Sequence, residues 1–198
     1  MPVLLPRVFL ARHGETAWTI SRQHTGLTDI PLTDRGERDA GQLGERLKGI
    51  SFAKVFTSPL QRAKRTCELA GFADVAEVDS DLVEWDYGDY EGRTTAEIRT
   101  QRPDWHLFLH GAPNGESVAA VAARADRVIA RLRAISGDTL VFSSGHFSRV
   151  LAVRWLGLEV AAGRLFILST ASVCILGYDH GLDEPAIHLW NDTQHLDR

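Results

Sequence analysis

Arg12 and His13 stand side by side at the end of a short apolar run, Val8 to Ala11, and Gly14 follows at once. A run of that length, broken by glycine, reads as a buried strand giving way to a loop. In open α/β sheets, ligands bind beyond the carboxyl ends of strands. Arginine offers a planar fork of donors matched to phosphate oxygens, and the neighbouring histidine a nucleophilic nitrogen that is substantially unprotonated near neutral pH. The pair therefore suits phosphoryl chemistry. A similar pattern recurs late in the chain, where the run Thr139 to Phe142 ends in Ser144-Gly145-His146. A second histidine at a strand's carboxyl end, beside a helix N-terminus, is the partner that His13 needs. Between the two, Glu84 leads into a loop crowded with aromatic, glycine and acidic residues, Trp85 to Gly92. A carboxylate flanked by Trp85 and Tyr87 is expected to be partly desolvated and so fitted to donate a proton.

The elements that must position these groups alternate between strand and helix. Thr16 to Leu32 reads as an irregular polar loop whose Arg22, Gln23, His24 and Thr25 face either a ligand or solvent. Thr33 and Asp34 open a helix that Gly49 closes. Ala53 to Thr57 reads as a strand, followed by Ser58-Pro59, where Ser caps a helix and Pro suits its first turn. That helix carries Arg62 at its start, beside an anion-attracting N-terminus, while Lys64 and Arg65 read as a solvated face. Val75 to Val78 is a short strand. Thr94 to Glu97 fits a capping box, Pro103 ends that helix, and Trp105, Leu107 and Phe108 read as a flap over the open end of the sheet. Ser117 opens the longest helix, with Val118, Val121, Ala122, Ala125, Val128, Ile129 and Leu132 forming one apolar stripe. Phe147 to Leu156 reads as helix, and Leu165 to Leu168, Val173 to Leu176 and Ile187 to Trp190 as further strands.

Composition narrows the function classes. With 198 residues, 44% of them hydrophobic, and no linker, the chain is expected to form a single domain over 1–198. A net charge of −4 gives no footprint for nucleic acid, so an anionic substrate must be met by a few placed cations. Cys67 and Cys174 show no ligand spacing and read as reduced, buried thiols. Met1 to Leu5 does not read as a leader, and no apolar run reaches membrane-spanning length, so a cytoplasmic protein with no membrane partner is expected.

The spaced motifs together resemble the histidine phosphatase superfamily, also called phosphoglycerate-mutase-like. They run from Leu10-Ala11-Arg12-His13-Gly14-Glu15-Thr16 through Thr25-Gly26, Asp29-Ile30-Pro31-Leu32-Thr33 and Gly36. They continue in Ser58-Pro59-Leu60-Gln61-Arg62-Ala63 with Thr66, then Glu84, then Gly145-His146. The resemblance implies an α/β fold, a three-layer α/β/α sandwich with a mainly parallel central sheet. It makes His13 the nucleophile that forms a phosphohistidine, sets Arg12, Arg62 and His146 around the phosphoryl group, and makes Glu84 the proton donor. A neutral imidazole, with an ordinary pKa of about 6.5, is a competent nucleophile, and covalent catalysis splits one difficult displacement into two. Arg12, Arg62 and a protonated His146 would hold the phosphoryl charge without a metal, so neither metal nor cofactor is expected. Gln23, Thr25 and Phe147 join the substrate-binding set, Phe147 standing where the family's mutases carry glycine after the second histidine.

Within the superfamily, Glu84 to Gly92 is most similar to small phosphatases, including sedoheptulose bisphosphatase-like proteins and bacterial acid phosphatases. The implied activity is a metal-independent phosphomonoesterase acting on a small phosphorylated metabolite, as a monomer or homodimer. The runner-up is a phosphoglycerate mutase, in which Asn usually follows the Trp where this chain has Thr19. Residues 85 to 115 set Arg93, Arg99 and Arg102 against five acids, a poor cradle for a second phosphate. A catalytically silent binding domain is disfavoured by the intact Arg12, His13, Arg62, Glu84 and His146. A metal hydrolase built on His24, His106, His110 and His180 is disfavoured by the absence of ligand spacing.

Overall fold

The computed structural model describes residues 5–196, so most of the Met1 to Leu5 stretch lies outside the described residues. Its central strand is β1 (Val8–Arg12), where successive side chains point to opposite faces. Val8 and Leu10 enter one core and Phe9 and Ala11 the other, and all four are buried. That two-sided burial is why the run is apolar at every position instead of alternating. The remaining strands are β2 (Lys54–Thr57), β3 (Ala76–Val78), β4 (Thr139–Ser143), β5 (Val173–Tyr178) and β6 (Pro185–Asp192). They form one sheet in the order β3-β2-β4-β1-β5-β6. β1 pairs in parallel with β4, Arg12 lying opposite Ser143, and β2 is parallel to both β3 and β4. The β5 and β6 pairings are antiparallel.

Helices cover both faces, giving the three layers expected. The helices α2 (Asp34–Leu47) and α3 (Gln61–Leu69) supply Leu43, Leu47 and Cys67 to the Phe9 face. The opposite face is covered by α6 (Val118–Arg133) and α7 (Gly145–Trp155), through Val121, Ala125, Val128, Val150 and Leu151. Thr33 caps α2 by accepting from Gly36 N–H, and Ser117 caps α6 by accepting from Ala120 N–H. The chain leaves β1 towards the β2 side and leaves β4 towards the β5 side, so the crevice between these neighbouring strand ends is a topological switch point. His13 and His146 follow those two ends.

Three expectations need correction. Within the stretch read as irregular lies a short helix, α1 (Ala17–Ser21), started by reciprocal bonds between Thr16 and Thr19. Ser58 does not cap α3, which starts at Gln61. The Gln61 N–H is satisfied instead by Asp29 Oδ1 from a loop distant in sequence, at 2.8 Å. Leu165 to Leu168 is not a strand: Leu165 ends a 3₁₀ turn, and Leu165 and Ile167 face solvent. Both edges of the adjacent strand β5 are already taken, by β1 and β6. The capping box at Thr94 is present and starts α4 (Thr95–Gln101); α5 (Leu107–His110) follows it.

Gly14 and Gly36 bring the loop after β1 against the first turn of α2, backbone on backbone. A Cβ on Gly36 would drive into the Glu15 carbonyl. Gly36→Ala is therefore expected to destabilise the protein by about 1–3 kcal/mol, read as a lowered urea midpoint at unchanged slope.

Candidate active site

His13 is buried just past β1, and its Nδ1 lies 2.8 Å from the Gly14 carbonyl. A ring nitrogen facing a carbonyl must carry the proton, so Nε2 keeps its lone pair. Burial, and then the charges of Arg12 and Arg62, lower the His13 pKa well below its ordinary value. The ring is therefore neutral and nucleophilic at neutral pH.

The two arginines are held by backbone carbonyls. Arg12 donates to Leu168 O, and Gly145 leaves the space its guanidinium fills; a Cβ there would lie 3.1 Å from it. Arg62 donates to the carbonyls of Thr25, Gly26 and Thr28, at 2.7 to 3.1 Å. Among the described residues, Nε of Arg12 and Nε of Arg62 are buried donors without a protein acceptor. Leaving such groups unpaired is costly, and for Arg12, the neighbour of His13, an anion seated against that imidazole would supply the missing acceptor.

Glu84 is buried and accepts three backbone N–H bonds: Oε1 from Trp85 and Phe147, and Oε2 from His146. Oε1 thus takes two bonds and Oε2 one, which leaves Oε2 the freer oxygen for carrying a proton. The loop around it is fastened by Arg124 of α6, which donates to the carbonyls of Asp81, Val83 and Glu84 and pairs with Glu116. Trp85 Nε1 donates to Glu116 O.

The His146 pKa is also driven well below its ordinary value, by burial first and then by Arg149 and other positive neighbours. The imidazole expected to be protonated is therefore neutral. Its Nδ1 sits 2.6 Å from the Tyr87 hydroxyl, whose own pKa burial raises well above its ordinary value. The phenol thus keeps its proton, and when it donates to Nδ1 the imidazole of His146 presents Nε2–H.

Arg12, His13, Gln23, Thr25, Glu84 and His146 all line one chamber of about 240 Å³. Two predicted residues do not. Arg62 is wholly buried behind the Thr25 to Thr28 loop. Phe147 lies in the core, its ring 4.1 Å from the Arg124 guanidinium, because α7 turns its apolar face inward; only its N–H serves the site, through Glu84. Sequence reasoning missed Tyr87 and Arg124 as positioning groups, and Trp18 and Thr95 in the wall. The crowding of aromatics after Glu84 was the available signal for Tyr87. Nothing in the spacing pointed to Arg124, which lies 40 residues on. Thr19 closes the α1 capping box and lines the chamber. The four histidines weighed for a metal do not converge: His180 is exposed on the β5–β6 turn, at the opposite end of the sheet.

A family model described as the histidine phosphatase superfamily, branch 1, matches residues 8–193. The chain belongs to that superfamily. This histidine phosphatase is 45% identical to the acid phosphatase of Mycobacterium tuberculosis, the match covering 91% of each chain. It is 32% identical to the sedoheptulose 1,7-bisphosphatase of Saccharomyces cerevisiae, over 96% of this chain and 94% of the relative. Its fold matches the solved structure of a Mycobacterium tuberculosis open reading frame product with a TM-score of 0.89 and 44% identity, covering 94% of this chain and 97% of that one. The three-layer fold and mainly parallel sheet are thus those of its family.

The Tyr87 bond predicts a positioning effect. Tyr87→Phe keeps the packing but frees His146 to rotate and change tautomer, and should lower kcat by about tenfold with little change in melting temperature. Steady-state assay alongside thermal unfolding checks this.

Proposed function

We propose that this chain is a cytoplasmic, metal-independent phosphomonoesterase that hydrolyses a small phosphorylated metabolite through a phosphohistidine on His13. The observation that carries the reading is the buried, acceptor-less Nε of Arg12 beside a neutral imidazole whose Nε2 is free. In the first step Nε2 of His13 attacks phosphorus and the P–O bond to the alkyl group breaks. The departing oxygen takes the proton from Glu84. In the second step water attacks the phosphorus, the P–N bond breaks, and Glu84 takes a proton from that water, restoring the starting enzyme. Charge on the phosphoryl oxygens is met by Arg12 and the Nε2–H of His146, with Arg62 adding its positive charge from behind the Thr25 to Thr28 loop. The acid phosphatase and bisphosphatase names of the relatives support hydrolysis over isomerisation. Cys67 and Cys174 are free, buried thiols with pKa values pushed up to about 12, in keeping with a reducing compartment.

His13→Ala should abolish turnover, assayed with a metal chelator present, and wild-type enzyme quenched during turnover should carry an acid-labile, base-stable phosphoryl group on His13. Wild-type rates in the variant would sink the mechanism. Glu84→Gln keeps the shape but removes the transferable proton, normally worth about 10² to 10⁴ in rate. The loss should be large for an alkyl phosphate and much smaller for nitrophenyl phosphate, whose leaving group departs as a stable anion. Equal losses on both would mean that Glu84 only positions the substrate.

A further inference from the structure

The backbone of the nucleophile is fixed from two sides. Its N–H donates to Ser143 O of β4 at 3.0 Å, and its carbonyl accepts from Ala171 N–H at 3.1 Å. Ala171 belongs to a turn just before β5 that serves Arg12 as well: the Arg12 N–H donates to Ser172 O at 3.1 Å, and its guanidinium to Leu168 O. Ala171 holds its place under strain. Its φ is +52°, in the left-handed region that a side chain disfavours, and its methyl group is fully buried. Such a conformation persists only where surrounding bonds over-determine it, and it marks a place where structure is held for a purpose.

The bonds that hold this turn come from residues that follow β6 or end it. His195 Nε2 lies 2.9 Å from Ala171 O, and a ring nitrogen facing a carbonyl carries the proton, so the imidazole donates. Asn191, itself at φ +57°, accepts from Ser169 N–H through Oδ1 at 2.7 Å. Within the turn, Ser172 Oγ donates to Ser169 O at 2.7 Å. His195 is seated in its own right. Asp192 accepts from Arg46 Nε of α2 at 3.1 Å and from Gln194 N–H at 3.0 Å, and Leu196 is buried. Burial is the largest cause lowering the His195 pKa, so the ring is neutral at neutral pH, and its Nδ1 is buried with no partner among the described residues. His195 does not line the chamber that holds His13. A half-buried imidazole with one nitrogen dry is a costly way to fill space, whereas its other nitrogen meets the carbonyl of the strained residue.

We propose that His195 is a positioning residue for phosphoryl transfer: by donating to the Ala171 carbonyl it holds the strained turn that sets the backbone of Arg12 and His13. The inference rests on the phosphatase reading and adds to it a residue, outside the chamber, on which the approach of His13 Nε2 to phosphorus depends. Without that bond Ala171 relaxes towards negative φ, and its N–H swings off the His13 carbonyl. The dependence is steep, because a displacement of about 1 Å in a reacting group costs on the order of 10²-fold in rate.

The test is single-turnover release of nitrophenolate from nitrophenyl phosphate with enzyme in saturating excess. That rate constant reports attack by His13 in the folded molecules, so a variant that merely unfolds more readily leaves it unchanged. His195→Leu should lower it about tenfold. His195→Gln, which carries an amide N–H to about the same reach, should stay within about threefold of wild type. Adding Ala171→Gly to His195→Leu should restore most of the loss, since glycine occupies the left-handed region without strain. Asn191→Gly keeps its own left-handed backbone and removes only the acceptor for Ser169. It should slow the same step severalfold, and it covers the case in which the leucine variant does not fold. A rate unmoved in both His195→Leu and Asn191→Gly, equal losses in the leucine and glutamine variants, or no recovery with Ala171→Gly overturns the role of His195 and leaves the phosphatase reading intact. Wild-type enzyme that hydrolyses no phosphomonoester overturns that reading, and this inference with it.

Discussion

Burying two guanidinium groups beside an uncharged imidazole is the constraint from which the rest of the site follows. A charge taken out of water needs acceptors, and here they are backbone carbonyls: Leu168 for Arg12, and Thr25, Gly26 and Thr28 for Arg62. The segments flanking the site are shaped by that need. Thr25 to Thr28 wraps around Arg62, and the irregular piece through Leu168, between the 3₁₀ turn and β5, reaches Arg12. Thr66 joins the two sides, since its hydroxyl accepts from Gly14 N–H and donates to Arg62 O. Neither arginine is neutralised by a carboxylate bond, so both add to burial, the larger cause, in lowering the His13 pKa.

A carboxylate, Glu84, acts on both arginines through its charge, while its own hydrogen bonds come from backbone N–H groups. The first N–H groups of α7, from His146 and Phe147, bind Glu84 instead of a substrate anion. That use of a helix N-terminus fixes the acid at a set height over the site and leaves phosphate recognition to side chains. Arg124 then fastens the Glu84 loop to α6, and its guanidinium lies against Phe147. Helix α6, with no residue in the chamber that His13 lines, thereby sets the position of Glu84.

What could be read from the sequence was whatever is local. β1 and β4 were legible from apolar runs ended by glycine, the α2, α4 and α6 starts from their caps, and His13, Arg12 and Glu84 from the motifs they stand in. What escaped depends on contacts between segments remote in sequence. Asp29 serves the start of α3 where Ser58 seemed the obvious cap. Leu165 to Leu168 has the composition of a strand, yet no free strand edge beside β5 receives it. Phe147 follows His146, but helical geometry points it about 100° away from that neighbour, into the core. Tyr87 was legible as an aromatic near Glu84, while its bond to His146 spans 59 residues.

The wall of the chamber at His146 shows how the charge is divided between residue types. His24 and His146, whose rings lie 5.9 Å apart, separate Arg12 on one side from Arg149 on the other. Protonating either ring would add a cation to a cluster already rich in guanidinium, and burial penalises the charge further. The imidazoles therefore act as uncharged donors, acceptors and packing surfaces, and the arginines carry the fixed charge. Guanidinium does not titrate in the physiological range, whereas imidazole ordinarily does. Placing charge on the first and hydrogen bonding on the second keeps a fixed positive charge beside a neutral His13 at any pH near neutrality.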